Sequence, residues 1–221
     1  VGELSFSIKL PNKYPINRFG DKNFVVKVSV EASSPSVPYY VSGDQTSAEK
    51  EVVTKVAGYV SVESKGFYRD SGGSVVNEGE LPPTVGKATQ YSVHWIIRNF
   101  STDVSGVTVS APMAQNAFWK GVISENGNGT LSYNEETREV VWEVPKIQAT
   151  KGVANEPLEA VFRIEGVPDA SDVGKFQELM GTVRLKAMDD FTGEALSNSD
   201  LPLSTNLVDD VTVGPGMGVV V

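Results

Sequence analysis

Apolar and polar residues alternate with a period of two along much of the chain, which is the pattern of β-strands with one buried face. Near the N-terminus, one such segment places four apolar side chains on the same side: Leu4, Phe6, Ile8 and Leu10. Two more segments cover residues 24–32 and 52–62, where valine holds most of the inner positions. Helical spacing is limited to residues 169–177, which predict one helical turn. Strands are therefore expected along almost the whole chain.

The clearest strand pattern lies at residues 91–97, where Trp95 occupies an inner position. It predicts a central strand with an aromatic anchor in the core. Further strands are predicted at residues 107–110, 117–124, 131–133, 139–144, 159–164, 179–187 and 201–207. The run Asn-Gly-Asn-Gly at residues 126–129 indicates a hairpin, because the tight turns of hairpins need positive φ angles that Asn and Gly adopt cheaply. The strands on either side of this run are expected to pair.

About eleven or twelve short strands separated by turn residues are typical of a sandwich rather than of a fold with alternating strands and helices. We therefore expect an all-β protein made of two tandem immunoglobulin-like antiparallel β-sandwiches. The first module is predicted at residues 1–64 and the larger second module at residues 65–213. Residues 214–221 form a tail or linker.

The composition agrees with this class and excludes most catalytic chemistry. The 221 residues include 34 valines, 21 glycines and 12 prolines, which favours strands and turns. The absence of cysteine removes thiol nucleophiles, thiolate metal sites and disulfides. The single histidine, His94, lies on the outer side of its predicted strand, so we expect a solvated or edge-packed ring. Because a Ser-His-Asp arrangement would depend wholly on His94, we predict no catalytic residue and no enzymatic activity.

Charge and hydropathy narrow the choice of partners. The formal net charge is −9 at pH 7, so the field of the protein repels phosphate backbones and nucleic acid is not an expected partner. No run approaches the roughly 20 apolar residues of a membrane helix, so no membrane segment is predicted in this chain.

Several short motifs of the second module resemble the DUF-eleven family, whose members are repeated Ig-like domains of bacterial cell-surface proteins. The motifs are Leu81-Pro82-Pro83-Thr84-Val85-Gly86, Thr89 to Trp95 with Asn99, Tyr133-Asn134 before Arg138 to Trp142, Asp190 to Gly193, and Thr205 to Asp210. The resemblance covers residues 65–213 best and residues 1–64 more loosely. It implies an Ig-like fold, an extracellular location at the cell surface, and other copies or neighbouring Ig-like modules as partners. These motifs are turn and core positions, so they imply no catalytic activity.

Two groups of carboxylates are candidate ligands for a hard cation such as calcium. Asp189, Asp190 and Glu194 lie on the turn after a predicted strand, and Asp209 and Asp210 lie at the exit of the second module. Neither group has the alternating acidic spacing with which one loop wraps an ion, so ordinary turn carboxylates are the alternative. No other cofactor is predicted.

Two further surfaces are candidates for binding. The apolar end of the chain, Val219, Val220 and Val221, is predicted to add as a strand to the sheet edge of a neighbouring copy. Four aromatic residues near predicted loop ends are candidates for binding a ligand: Tyr39, Tyr40, Phe118 and Trp119.

The sequence thus favours a non-enzymatic structural module of a bacterial surface protein, fibre or lattice, which acts as a spacer and assembly unit. The alternative is an adhesin-type module that binds a glycan or a host protein.

Overall fold

The computed structural model describes residue 3 and residues 5–11, 13–33, 47–70 and 75–221. In these residues it has thirteen strands and no helix. The strands are β1 Val25–Ser33, β2 Ser47–Lys55, β3 Val60–Phe67, β4 Thr89–Asn99, β5 Val104–Pro112, β6 Ala117–Glu125, β7 Thr130–Asn134, β8 Glu139–Ile147, β9 Leu158–Gly166, β10 Glu178–Met180, β11 Val183–Asp189, β12 Ala195–Asp200 and β13 Leu203–Ser204.

Two antiparallel sheets form a sandwich. One has five strands in the order β12-β11-β5-β8-β7, and the other has four in the order β3-β4-β9-β6. A short pair consists of β10 and β13, and among the described residues β1 pairs only with β2. The predicted all-β antiparallel fold class is confirmed.

The two larger sheets pack around one hydrophobic core, because alternate residues of each strand point inward. Trp95 and Trp142, one from each sheet, are fully buried. The ring of Trp95 meets Phe162 edge-on, with 5.1 Å between the ring centroids. The predicted role of Trp95 as an aromatic anchor on a central strand is confirmed.

The predicted boundary between residues 64 and 65 lies inside β3, and this prediction is wrong. From Val60 to Phe67, β3 pairs residue by residue with β4, and both Val60 and Val62 are buried in the core of the sandwich. Residues 60–64 therefore belong to the larger module. The sequence misplaces the boundary because a strand that enters a sheet has the same period-two pattern as one that ends a preceding module.

The described part of the chain before β3 contains one two-stranded sheet, β1 with β2, rather than the two sheets of a sandwich. The first predicted strand is not formed either. Its described apolar residues Phe6, Ile8 and Leu10 are 47–62% exposed, and they lie outside any strand because no neighbouring strand pairs with them.

The expected hairpin at residues 126–129 is also absent, because this run joins two different sheets. Upstream of it, β6 pairs with β9, whereas β7 pairs with β8. Asn126 is held to the backbone of Glu159, with its side-chain Oδ1 accepting from the Glu159 N–H at 2.7 Å. The true hairpin joins β7 to β8, where Asn134 Oδ1 accepts from the N–H groups of Glu136 and Thr137.

The helical turn predicted at residues 169–177 is absent as well. Asp169 instead forms a local turn, in which its Oδ1 accepts from both the backbone N–H and the hydroxyl of Ser171. The side chain thus satisfies the donors that the first turn of a helix would leave free.

Candidate functional site

The outer edge of β3 is closed by side chains from the last part of the chain. Asp200 Oδ2 accepts from the Ser64 N–H at 2.7 Å, and Asn198 Oδ1 accepts from the Val62 N–H at 3.0 Å. Backbone groups at a free sheet edge are a template for pairing with another chain. These two side chains occupy donors that an incoming strand would need, so this edge is protected.

Buried aspartates extend the same arrangement beyond both ends of β3. Before the strand, Asp189 Oδ2 accepts from the Gly58 N–H at 2.7 Å. After it, Asp210 Oδ2 accepts from the N–H groups of Tyr68 at 2.9 Å and Arg69 at 2.8 Å. We call the four acceptors the β3 clamp: Asp189, Asn198, Asp200 and Asp210. The clamp joins the first strand of the sandwich to its C-terminal third.

The ionised form of the two buried aspartates is favoured by these contacts. Burial acts to raise the pKa of Asp189, but hydrogen bonds from the N–H groups of Gly58, Phe191 and Thr192 outweigh it and hold the pKa below 3.8. For Asp210, burial again acts to raise the pKa, and hydrogen bonds, of which that from the Arg69 N–H is the strongest, hold the pKa below 3.8. Both side chains therefore act as charged acceptors, which form stronger hydrogen bonds than neutral ones.

The candidate calcium ligands are not brought together as a metal site. Asp189 accepts backbone N–H groups on both oxygens, from Gly58 on Oδ2 and from Phe191 on Oδ1 at 2.8 Å. Asp190 binds the Ser105 hydroxyl at 2.6 Å and the Lys146 ammonium at 2.9 Å. Across the described residues, no group of three or more His, Asp or Glu side chains is arranged to hold a metal ion.

Of the remaining candidate carboxylates, Glu194 is exposed and Asp210 belongs to the β3 clamp. The last of the acidic candidates, Asp209, is half-buried beside it. The structure thus separates the two acidic groups into turn caps, an ion pair and solvent-facing side chains.

His94 lies between two carboxylates, contrary to the prediction of a solvated or edge-packed ring. Its Nε2 is 2.9 Å from Asp70 Oδ2, and its Nδ1 is 2.8 Å from Glu159 Oε1. Phe67 packs edge-on against the ring at 5.0 Å between centroids. Both ring nitrogens are thus engaged by carboxylates of the protein itself. The ring holds the segment that follows β3 against β4 and β9.

The apolar end of the chain docks on its own chain, so the predicted addition of Val219, Val220 and Val221 to a neighbouring copy is wrong for this structure. Val221 donates its N–H to Pro83 O at 2.9 Å and accepts from the Val85 N–H at 3.1 Å. Val220 is 1% exposed. Gly218 lies so close to the loop after β13 that an added Cβ would collide with Thr205 O. The tail therefore finds its backbone partners within the same chain.

The two candidate aromatic residues that the structure describes do not share one surface. Phe118 and Trp119 are adjacent on β6 and so point to opposite faces. Phe118 is 46% exposed, whereas Trp119 stacks on Tyr133 with 5.6 Å between centroids. Tyr39 and Tyr40 lie outside the described residues.

A different aromatic cleft, of about 570 Å³, is formed where the segment before β1 meets the end of the sandwich. The rings of Tyr14, Tyr59 and Phe100 line it; the Tyr59 and Phe100 centroids are 5.2 Å apart and those of Tyr14 and Phe100 6.4 Å apart. These residues are distant in the sequence and share no motif, so no sequence signal predicts the cleft.

No family model matches the chain, and no curated protein matches it. The resemblance of residues 65–213 to the DUF-eleven family therefore stays a prediction. No helix among the described residues is long and apolar enough to cross a membrane.

Solved structures to which the chain is similar include a variant of BcpA, the major pilin subunit of Bacillus cereus, at 9% identity and a TM-score of 0.41, over 69% of this chain and 44% of that one. Another is the 35 kDa C-terminal fragment of the major pilin GBS80 of Streptococcus agalactiae. It has 10% identity and a TM-score of 0.40, over 66% of this chain and 55% of that one. A third is the C-terminal domain of the Streptococcus agalactiae AgI/II polypeptide BspA. It has 10% identity and a TM-score of 0.37, over 82% of this chain and 58% of that one. The chain spans less than two thirds of each of these structures.

Proposed function

We propose that the chain is a non-enzymatic structural module of a bacterial cell-surface protein or surface fibre, where it acts as a spacer and assembly unit. The observation that carries the proposal is the β3 clamp, which ties the first strand of the sandwich to its C-terminal third. The cell-surface location rests on the resemblance of residues 65–213 to DUF-eleven domains.

A spacer has to keep its length when its two ends are pulled apart. When the chain is pulled at its two ends, the force reaches the sandwich through β3, its first strand, and through the C-terminal tail. The clamp residues Asp189, Asp200 and Asp210 accept hydrogen bonds from β3 and the residues beside it, and the bonds of Val221 to the loop at Pro83 hold the tail on the sandwich. Several contacts therefore resist the same separation, and they have to break together.

The test is single-molecule force spectroscopy on the full chain, held at its two ends. The expected result is one cooperative event for residues 60–221, which releases about 550 Å of chain, given the reach of about 3.3–3.6 Å per extended residue. Asp200→Ala is expected to lower the unfolding force, and Asp172→Ala, a carboxylate outside the clamp, is expected to leave it unchanged. Stepwise peeling of the tail or of β3 before the main event would contradict the spacer role.

A ligand-binding module is the second candidate, and the cleft lined by Tyr14, Tyr59 and Phe100 favours it. Aromatic rings beside a cleft provide apolar contact area together with polar hydroxyls. The test is binding of the full chain to a glycan array. Tyr59→Ala is expected to abolish any signal due to this cleft, whereas Phe118→Ala, an exposed ring elsewhere, is expected to keep it. A signal that both variants retain would locate binding away from the cleft.

A further inference from the structure

The hairpin of β1 and β2 has two outer sheet edges, and neither pairs with another strand in the described residues. Within the described residues, β1 pairs with β2 on one side, and no backbone hydrogen bond reaches its other side. Four valines of the hairpin are 45–51% exposed: Val25, Val30, Val52 and Val53. An isolated two-stranded sheet is marginally stable in water, so this hairpin has both the surface and the open edge for another strand.

The charges on the hairpin are unbalanced on one face. The register places Glu31 opposite Glu49, and like charges directly opposite each other are destabilising. The cation on the same face of β1, Lys27, lies 2.9 Å from Glu51. In the described part of the chain, Glu31 forms no ion pair. A positive charge at the open edge of β1 would therefore relieve the repulsion at Glu31.

We propose that a second copy of this chain adds to the open edge of β1, antiparallel and about a two-fold axis at Ser29. In this register, Lys27 of each copy lies directly opposite Glu31 of the other. On the opposite face, Val28 of each copy lies opposite Val30 of the other. One pairing thus gives two charge pairs and a row of apolar contacts, and each copy supplies the positive charge that Glu31 of the other needs.

Two other registers of β1 and the central self-pairing of β2 lack this complementarity. A shift of the register by two residues places Glu31 opposite Ser29 or Val25. Self-pairing of β2 about its centre places Glu51 opposite Glu51 of the other copy. Within β1, the charge pattern therefore selects the register.

The geometry also allows the two sandwiches to avoid each other. The hairpin joins its sandwich at the Val25 and Lys55 end, where the Lys55 ammonium donates to Phe191 O at 2.6 Å. Antiparallel pairing places the two attachment ends at opposite ends of a four-stranded sheet. The product is an elongated dimer with a closed, isologous interface. The inference rests on the proposed role as an assembly unit, to which it assigns the partner and the contact.

The test is analytical ultracentrifugation of the full chain between roughly 1 and 100 µM, where weak dimers dissociate. Wild type is expected to form a dimer. Lys27→Glu and Glu31→Lys each turn both charge pairs into repulsions, so each is expected to raise the dissociation constant by about tenfold or more. A matched control on the other strand, Lys50→Glu, carries the same charge change as Lys27→Glu but lies on the opposite face of the hairpin, so it is expected to dimerise like wild type.

The decisive measurement combines the two β1 variants. A mixture of the Lys27→Glu and Glu31→Lys chains is expected to form a heterodimer, because the substituted residues again face opposite charges. The double variant is expected to recover self-association for the same reason. A wild type that stays monomeric, or a dimer that neither single variant weakens and the mixture does not restore, overturns the inference. A monomer that still unfolds in one cooperative event under force keeps the spacer role, so the two proposals fail separately.

Discussion

Asp210 is the member of the β3 clamp with the most hydrogen bonds, and we predict that Asp210→Ala destabilises the sandwich strongly. The side chain is 3% exposed and accepts from the N–H groups of Tyr68 and Arg69 on one oxygen. The other oxygen accepts from the N–H and hydroxyl of Thr212 at 2.9 and 2.6 Å. Thr212 is exposed, so water replaces the carboxylate there. Tyr68 is half-buried, whereas Arg69 is exposed, so water replaces the carboxylate less readily at the Tyr68 N–H than at the Arg69 N–H.

The magnitude follows from those two donors. A hydrogen bond to a charged group contributes about 1.5–3 kcal/mol, and water replaces part of this at both donors, so Asp210→Ala is expected to lower the free energy of unfolding by about 2–4 kcal/mol. The assay is urea denaturation followed by the fluorescence of the buried tryptophans. Asp209→Ala is the matched control, because it removes the same charge at the neighbouring position. A loss for Asp210→Ala within about 0.5 kcal/mol of the control would refute the reasoning.

The same carboxylate predicts a direction for the pH dependence. The folded pKa of Asp210 is held below 3.8, so the unfolded chain binds a proton more readily than the folded one. Its contribution to stability is therefore complete above the unfolded pKa and is lost as the pH falls through the folded pKa. The unfolding free energy of wild type is expected to fall below about pH 4, and more steeply than that of Asp210→Ala. Equal acid slopes in the two proteins would contradict this assignment.

Two further predictions concern the core and the tail. Trp142 donates its indole N–H to Glu125 at 2.9 Å, whereas the buried indole N–H of Trp95 has no acceptor among the described residues. Because only Trp142 loses a hydrogen bond, Trp142→Phe is expected to lower the free energy of unfolding by about 1 kcal/mol more than Trp95→Phe does. Urea denaturation measures this difference. Gly218→Ala is expected to displace the C-terminal tail, and therefore to speed hydrogen exchange at the amide N–H groups that bond to the tail. Gly214→Ala is the control. Its added Cβ meets nothing closer than 3.4 Å, so these N–H groups are expected to stay protected.

The sequence predicts the core strands well because burial acts on each strand separately. At residues 91–97 the alternation alone assigns Trp95 to the inner face, and the structure agrees. Which strands pair with each other is harder to predict from the sequence, because pairing depends on residues far away in the chain. Asn126 and the glycine that follows it fit a tight turn, yet the bonds of Asn126 to the Glu159 backbone direct the chain from one sheet to the other.

The contacts around the candidate sites are also hard to predict from the sequence, because they join residues that lie far apart in the chain. His94 meets Glu159 across 65 residues of chain, and Asp210 meets Tyr68 across 142. No short motif contains such pairs. The tail illustrates a related limit, since an apolar end predicts strand addition but does not distinguish an edge in its own chain from one in a neighbouring copy.

The acidic turns show why one sequence pattern fits two kinds of structure. Carboxylates that follow a strand supply oxygen ligands for a cation, and they equally supply acceptors for backbone N–H groups at a turn or a sheet edge. A cation site and a turn cap differ in which group supplies positive charge to the carboxylate oxygens: a bound ion in the first, backbone N–H groups in the second. At Asp189 that charge comes from the N–H dipoles of Gly58, Phe191 and Thr192, which are fixed by the fold and need no ion. The carboxylates of this protein therefore contribute most where strands from distant parts of the chain have to be joined.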